Sequence, residues 1–131
     1  MKPPKKKPDN PVTPAAADAF SMRMKHWQEE LNLRDWRIER SPRKAGRNSM
    51  AEITSMSLKD RLAVYRLGED FGETTPVTER SVDEIACHET LHVLLCELIE
   101  VASDKDAKPE DLEAAEHRVV HTLVRLLVAD R

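Results

Sequence analysis

The stretch Glu84–Ile99, EIACHETLHVLLCELI, decides the fold. Its apolar residues recur at helical spacing, as in a helix that packs into a core. Among them stand His88, Glu89 and His92, three groups that are costly to bury without partners. At about 100° per residue from Ile85, His88 falls at about −60°, His92 at about −20° and Glu89 at about +40°. Cys96 and Ile99 share that side. The spacing therefore predicts a helix whose three polar groups lie on its inward face.

Residues four apart stack one turn above the other on a helix. Two imidazoles so placed can reach one tetrahedral ion, and neutral imidazole binds zinc at about 2.0–2.1 Å. Glu89, one step round the helix, can work beside a metal without ligating it. This is the His-Glu-x-x-His pattern, in which zinc sits on the histidines and the glutamate acts as general base. The plainer alternative is two core histidines bonded to backbone carbonyls, with Glu89 bridging one of them.

Two histidines do not complete a catalytic zinc site, which normally has three protein ligands. The stretch EAAEHRVVH offers Glu113, Glu116, His117 and His121. Measured from Leu112, the apolar stripe there runs from Ala115 at about −60° to Leu127 at about +60°. Glu116 falls inside it, at about +40°. Glu113 lies at about 100°, His117 at about 140° and His121 at about 180°. Glu116 is thus the predicted third ligand, and its inward placement would crosslink two helices through the metal. The competing explanation is an ion pair from Glu116 to Arg23 or Arg37. Cys96 lies about 12 Å along the axis from His88, too far to share an ion comfortably. It reads as a small core residue beneath the site.

Working outward, residues 1–12 are rich in proline and lysine and predict a disordered tail. Residues 13–131 form one domain. Thr13 and Pro14 suit a helix start, and Phe20, Met24, Trp27 and Leu31 give an amphipathic helix to about Asn32. The tryptophans Trp27 and Trp36 lie on apolar faces and predict core packing. Strands are expected over 35–41, 50–57 and 61–68. Ser81 and Glu84 fit a capping box that opens the motif helix. After SDKDAKP a last helix begins near Pro109. The class is α+β: an N-terminal helix, a small three-stranded antiparallel or mixed sheet, then two packed helices carrying the site.

The chain has 131 residues and a net charge of −3. Lys2, Lys5, Lys6 and Lys7 against Asp9 give the stretch Met1–Pro14 a charge of +3, which leaves the body at −6. An acidic body argues against a nucleic-acid module, apart from weak contacts of the basic tail. No stretch approaches the roughly 20 apolar residues of a membrane span. Cys87 and Cys96 lie on opposite sides of one helix and cannot pair. Reduced thiols and no export signal point to the cytoplasm.

HETLH, a second helix with an inward glutamate and the LNLRDWRIE segment resemble the gluzincin branch of zinc metallopeptidases. More narrowly, residues 20–128 resemble small phage- or prophage-encoded metallopeptidases related to SprT-like proteins. The resemblance implies a zincin-like fold, Zn²⁺ on His88, His92 and Glu116, and Glu89 as base. It implies a hydrolase acting on a peptide or protein, with 61–66 as the edge strand that pairs with extended substrate. It departs from the family in having no cysteine cluster for a zinc ribbon, and no substrate lobe follows the motif. Substrate recognition is then shallow, supplied by a protein partner presenting the substrate, or absent. An oxyanion stabiliser is also needed, and Tyr65, His117 and His26 are the candidates. The acidic loop residues Glu69, Asp70 and Glu73 read as solvated, with a bias toward basic substrates as the alternative. The alternative function is a catalytically silent zinc-binding adaptor or regulator.

Overall fold

Thr13 caps α1 (Pro14–Glu30): its hydroxyl accepts from the Ala16 amide at 3.1 Å, and Pro14 fills the first turn, where no amide is needed. Phe20 and Met24 are buried on its inner face. The helix stops at Leu31, and Asn32 turns the chain out with φ of 55°, a conformation asparagine tolerates. In this computed structural model the described residues are 7–46 and 49–129. After α1 come β1 (Arg37–Arg40), β2 (Ala51–Ser57), β3 (Leu62–Leu67), α2 (Glu79–Ser103) and α3 (Pro109–Val128). The class is α+β, as expected.

The sheet is mixed, in the order β1-β3-β2. β3 pairs in parallel with β1 and antiparallel with β2. This corrects the expectation that 61–66 is an edge: β3 is the central strand, and both its sides are already paired. β2 is an edge strand instead, with an irregularity between Ile53 and Ser55. Ala63, Tyr65 and Leu67 alternate with less buried neighbours, so one face of β3 meets the helices.

Two clusters make the core. Phe20, Met24, Tyr65, Phe71, Val82 and Ala86 join α1, α2 and the sheet. Leu31, Leu33, Trp36, Ala63, Val93 and Cys96 fill the other end. Both cysteines are free, as their placement on one helix requires. Trp36 is buried, whereas Trp27 is half-buried and donates its indole N–H to Asp83 at 2.7 Å. Arg23 reaches the same carboxylate oxygen at 2.7 Å, which ties α1 to α2.

α2 starts earlier than the sequence suggests. Thr78 is the cap, and Ser81 takes the reciprocal position expected of Glu84. Serine is long enough to reach back to the cap amide, which leaves Glu84 free to pair with Arg80 at 2.9 Å.

Order also begins before Thr13. Residues 1–6 of the expected tail lie outside the described residues. Asp70 accepts from the amides of Asp9 and Asn10, Asn10 donates to the Gly72 carbonyl, and the Val12 amide bonds to Glu69. Asp70 thus buckles the segment before α1 onto the β3–α2 loop. No helix among the described residues is long and apolar enough to cross a membrane.

Candidate metal centre

The His-Glu-x-x-His stretch lies well inside α2, so helical geometry alone sets its three side chains. The Nε2 atoms of His88 and His92 are 3.2 Å apart. Two nitrogens at 2.0–2.1 Å from one tetrahedral zinc stand about 3.3–3.4 Å apart. The observed separation is close to that and is also hydrogen-bond distance between the two rings, so the pair is compatible with a metal. Glu89 Oε1 is 4.0 Å from His88 Nε2, and the three ligand atoms lie within 4.8 Å of one another. Among the described residues this is the one group of three or more such side chains.

The three groups do not share the inward face as predicted. Glu89 is 5% exposed, whereas His88 and His92 are exposed. The buried residues of α2 are Val82, Ala86, Glu89, Thr90, Val93 and Cys96. Their stripe centres on Ala86 and Val93, a quarter-turn or more away from the histidines. Reckoning from Ile85 misplaced it, because Ile85 is only half-buried and Ile99 is 55% exposed. Thr90 is the polar residue that does face the core: fully buried, it donates to the Ala86 carbonyl at 2.7 Å.

Burial of Glu89 has a chemical consequence. Desolvation raises its pKa, and nearby Glu52 pushes the same way. His88, His92 and the Ile53 amide, which donates to Oε2 at 3.1 Å, pull it back in part. The net direction is upward, toward the range where a carboxylate can accept a proton at neutral pH. Glu89, His92, Ala51, Glu52, Ile53 and Met56 line a cleft of about 230 Å³ between α2 and β2. Glu52 and the Ile53 amide are site residues the sequence reading missed. Only the pairing of β2 brings them there, and no spacing within the motif encodes that.

The inward placement expected of Glu116 is corrected. The residue is exposed on α3, and its carboxylate is not part of the group around His88 and His92. The buried residues of α3 are Ala115 and Val119, with Thr122, Leu123 and Leu126 half-buried. Leu112, the origin of the predicted stripe, and Leu127, at one of its limits, are 39% and 72% exposed. The covered stripe is thus turned away from Glu116, and the helix presents more apolar surface than α2 covers. Glu113 and His117 pair with each other at 3.7 Å, and both are exposed, as is His121.

Each of the oxyanion candidates has partners other than the pair. Tyr65 is buried against Phe20, and its hydroxyl is bonded to Ser21 at 3.1 Å. Burial raises its pKa, which the Ser21 bond and Arg40 offset only in part. His117 is on α3, and His26 stacks edge-on against Trp27 on α1. Asp70, proposed for substrate charge selection, is engaged by the N-terminal segment. Comparison of the chain with protein-family models, curated proteins and solved structures returned no match.

Proposed function

We propose that the protein is a zinc-dependent peptidase of the His-Glu-x-x-His type, with His88 and His92 as ligands and Glu89 as general base. The observation that carries this reading is the 3.2 Å separation of the two Nε2 atoms beside a buried carboxylate. Their exposure leaves the two rings open to an ion from solvent. Imidazole donors suit zinc as they suit copper, nickel and iron, and of these zinc, when bound, would supply Lewis acidity toward a carbonyl and toward water without redox chemistry.

The chain's own residues supply the rest. Glu89, held by the Ile53 amide, keeps one oxygen fixed and the other turned toward the histidines. From there it would take a proton from attacking water and pass it to the leaving amine. Its raised pKa suits both halves of that transfer; the charge of a bound ion would draw it down again. The cleft beside β2 is where a scissile bond would lie, next to the edge strand and not next to β3.

A second reading has its own observation. Tyr65, His117 and His26 are each engaged elsewhere, and Glu116 faces solvent. That favours a zinc-binding adaptor, with Glu89 buried to brace α2 on β2. Glu89→Gln separates the two, with zinc content and cleavage of a peptide library measured together. The peptidase reading expects unchanged zinc and a loss of cleavage of about 10²–10⁴-fold. Wild-type protein loaded with zinc that cleaves nothing in the library selects the adaptor.

A further inference from the structure

The uncovered side of α3 has a pattern of its own. Val120, Val124, Leu127 and Val128 are 46%, 52%, 72% and 56% exposed. With two residues before them they make the series Glu113, His117, Val120, Val124, Leu127, at steps of four, three, four and three. That is the spacing of a helix seam that meets another helix. His121 stands beside the seam, one turn beyond His117. The two rings are 5.8 Å apart between centroids, and the Glu113 carboxylate is 3.7 Å from His117 Nε2.

We propose that His117 and His121 form a second site for a divalent late transition-metal ion such as zinc, completed by the same two histidines of a second copy of this chain. Exposed residues four apart have Cβ atoms about 5–6 Å apart, close enough to chelate one ion after a side-chain rotation. The His117 side chain is 59% exposed, which leaves room for that rotation away from Glu113. Two imidazoles fill half of a tetrahedral shell. A two-fold axis along α3 supplies the other half and brings Val120, Val124 and Leu127 against their own counterparts. Glu113 of each copy then sits beside the cation and offsets its charge.

Size explains why the ion is needed. A standard interface covers about 800 Å² per partner, more than four partly exposed aliphatic side chains can provide. The apolar seam alone is too small to hold two copies together. Imidazoles on one ion supply what it lacks, so association depends on metal. The inference is independent of the role of His88 and His92.

The test uses the full chain with His88→Ala and His92→Ala, so that the first pair is silent. Mass is followed by sedimentation and light scattering during a zinc titration. The expected result is a doubling of mass at one zinc per two chains, reversed by chelator and absent once His121→Ala is added. Circular dichroism checks that each variant keeps its helices; these are solvent-facing positions. Mass that stays monomeric at saturating zinc overturns the proposal. So does a doubling that survives His121→Ala.

Discussion

Asp83 shows how much one carboxylate can organise. Burial works to raise its pKa, but the bonds from Arg23 and Trp27 and the charges of Arg23 and His26 outweigh it, and the net shift is downward. A carboxylate with a lowered native pKa stabilises the fold fully above its unfolded value, near 4. The contribution fades as pH falls through the lower native value, because the unfolded chain binds the proton first. Asp83→Asn should therefore lower the melting temperature at pH 7 and flatten its fall on acidification below pH of about 4; an unchanged acid limb in the variant counts against the clasp. A second residue-level expectation concerns Glu116. Because it faces solvent, Glu116→Gln should leave zinc affinity unchanged, while His92→Ala should abolish it. Titration calorimetry decides, and a tenfold loss in Glu116→Gln would mean that α3 turns toward α2 when metal binds. The motif itself was legible because identity and spacing along one helix carry it. Asp83 was not, since its partners lie far away in sequence on α1, and no local pattern announces such a bond. Glu116 was misplaced because a helical wheel ranks residues by hydropathy, whereas burial depends on which part of a wide apolar face a neighbour covers.

Helices and strands were readable as elements, and their limits came close. The sheet order was not, because pairing is non-local and three short strands admit several arrangements. Trp36, Ile38 and the alternation of β3 indicate strands without naming neighbours. The consequence is concrete at β2. As an edge beside α2, it spends the Ile53 amide on Glu89, so the strand and the motif helix support each other. The loop that leads into β2 must also pass close to β3. A Cβ on Gly68 would collide with the Ser49 carbonyl, a backbone atom that cannot swing aside. The Gly68 amide meanwhile donates to Met50 at 2.8 Å. Gly68→Ala should cost about 1–3 kcal/mol, the usual range for overpacking. Chemical denaturation measures it directly, and a change under about 0.5 kcal/mol, typical of a neutral surface substitution, would show that the loop can move away.

At the scale of the molecule, a metal held by the proposed pair would not be a strut between helices. His88 and His92 both belong to α2, so ligation by them would not join α2 to α3 as an inward Glu116 would have done. Those helices are held by packing of Val93 and its neighbours and by the Arg118–Glu97 pair. Chelator-treated protein should keep its secondary structure and unfold cooperatively. Added zinc should raise stability only by mass action, about 2.7 kcal/mol at a hundredfold excess over its dissociation constant. Calorimetric scans across zinc concentrations read this; collapse of the chelated protein to an unfolded chain would contradict it. The order β1-β3-β2 has a further consequence, for a chain still being made. The first two strands to emerge have no bond to each other, and each waits for Leu62–Leu67. At about 5–20 residues per second, β1 stands unpaired for about 1–5 seconds and β2 for about 0.5–2 seconds. The sheet is then assembled by its last strand, and a ribosome pausing between Ser57 and Leu62 would hold two orphaned edges in reach of any chaperone that grips extended chain.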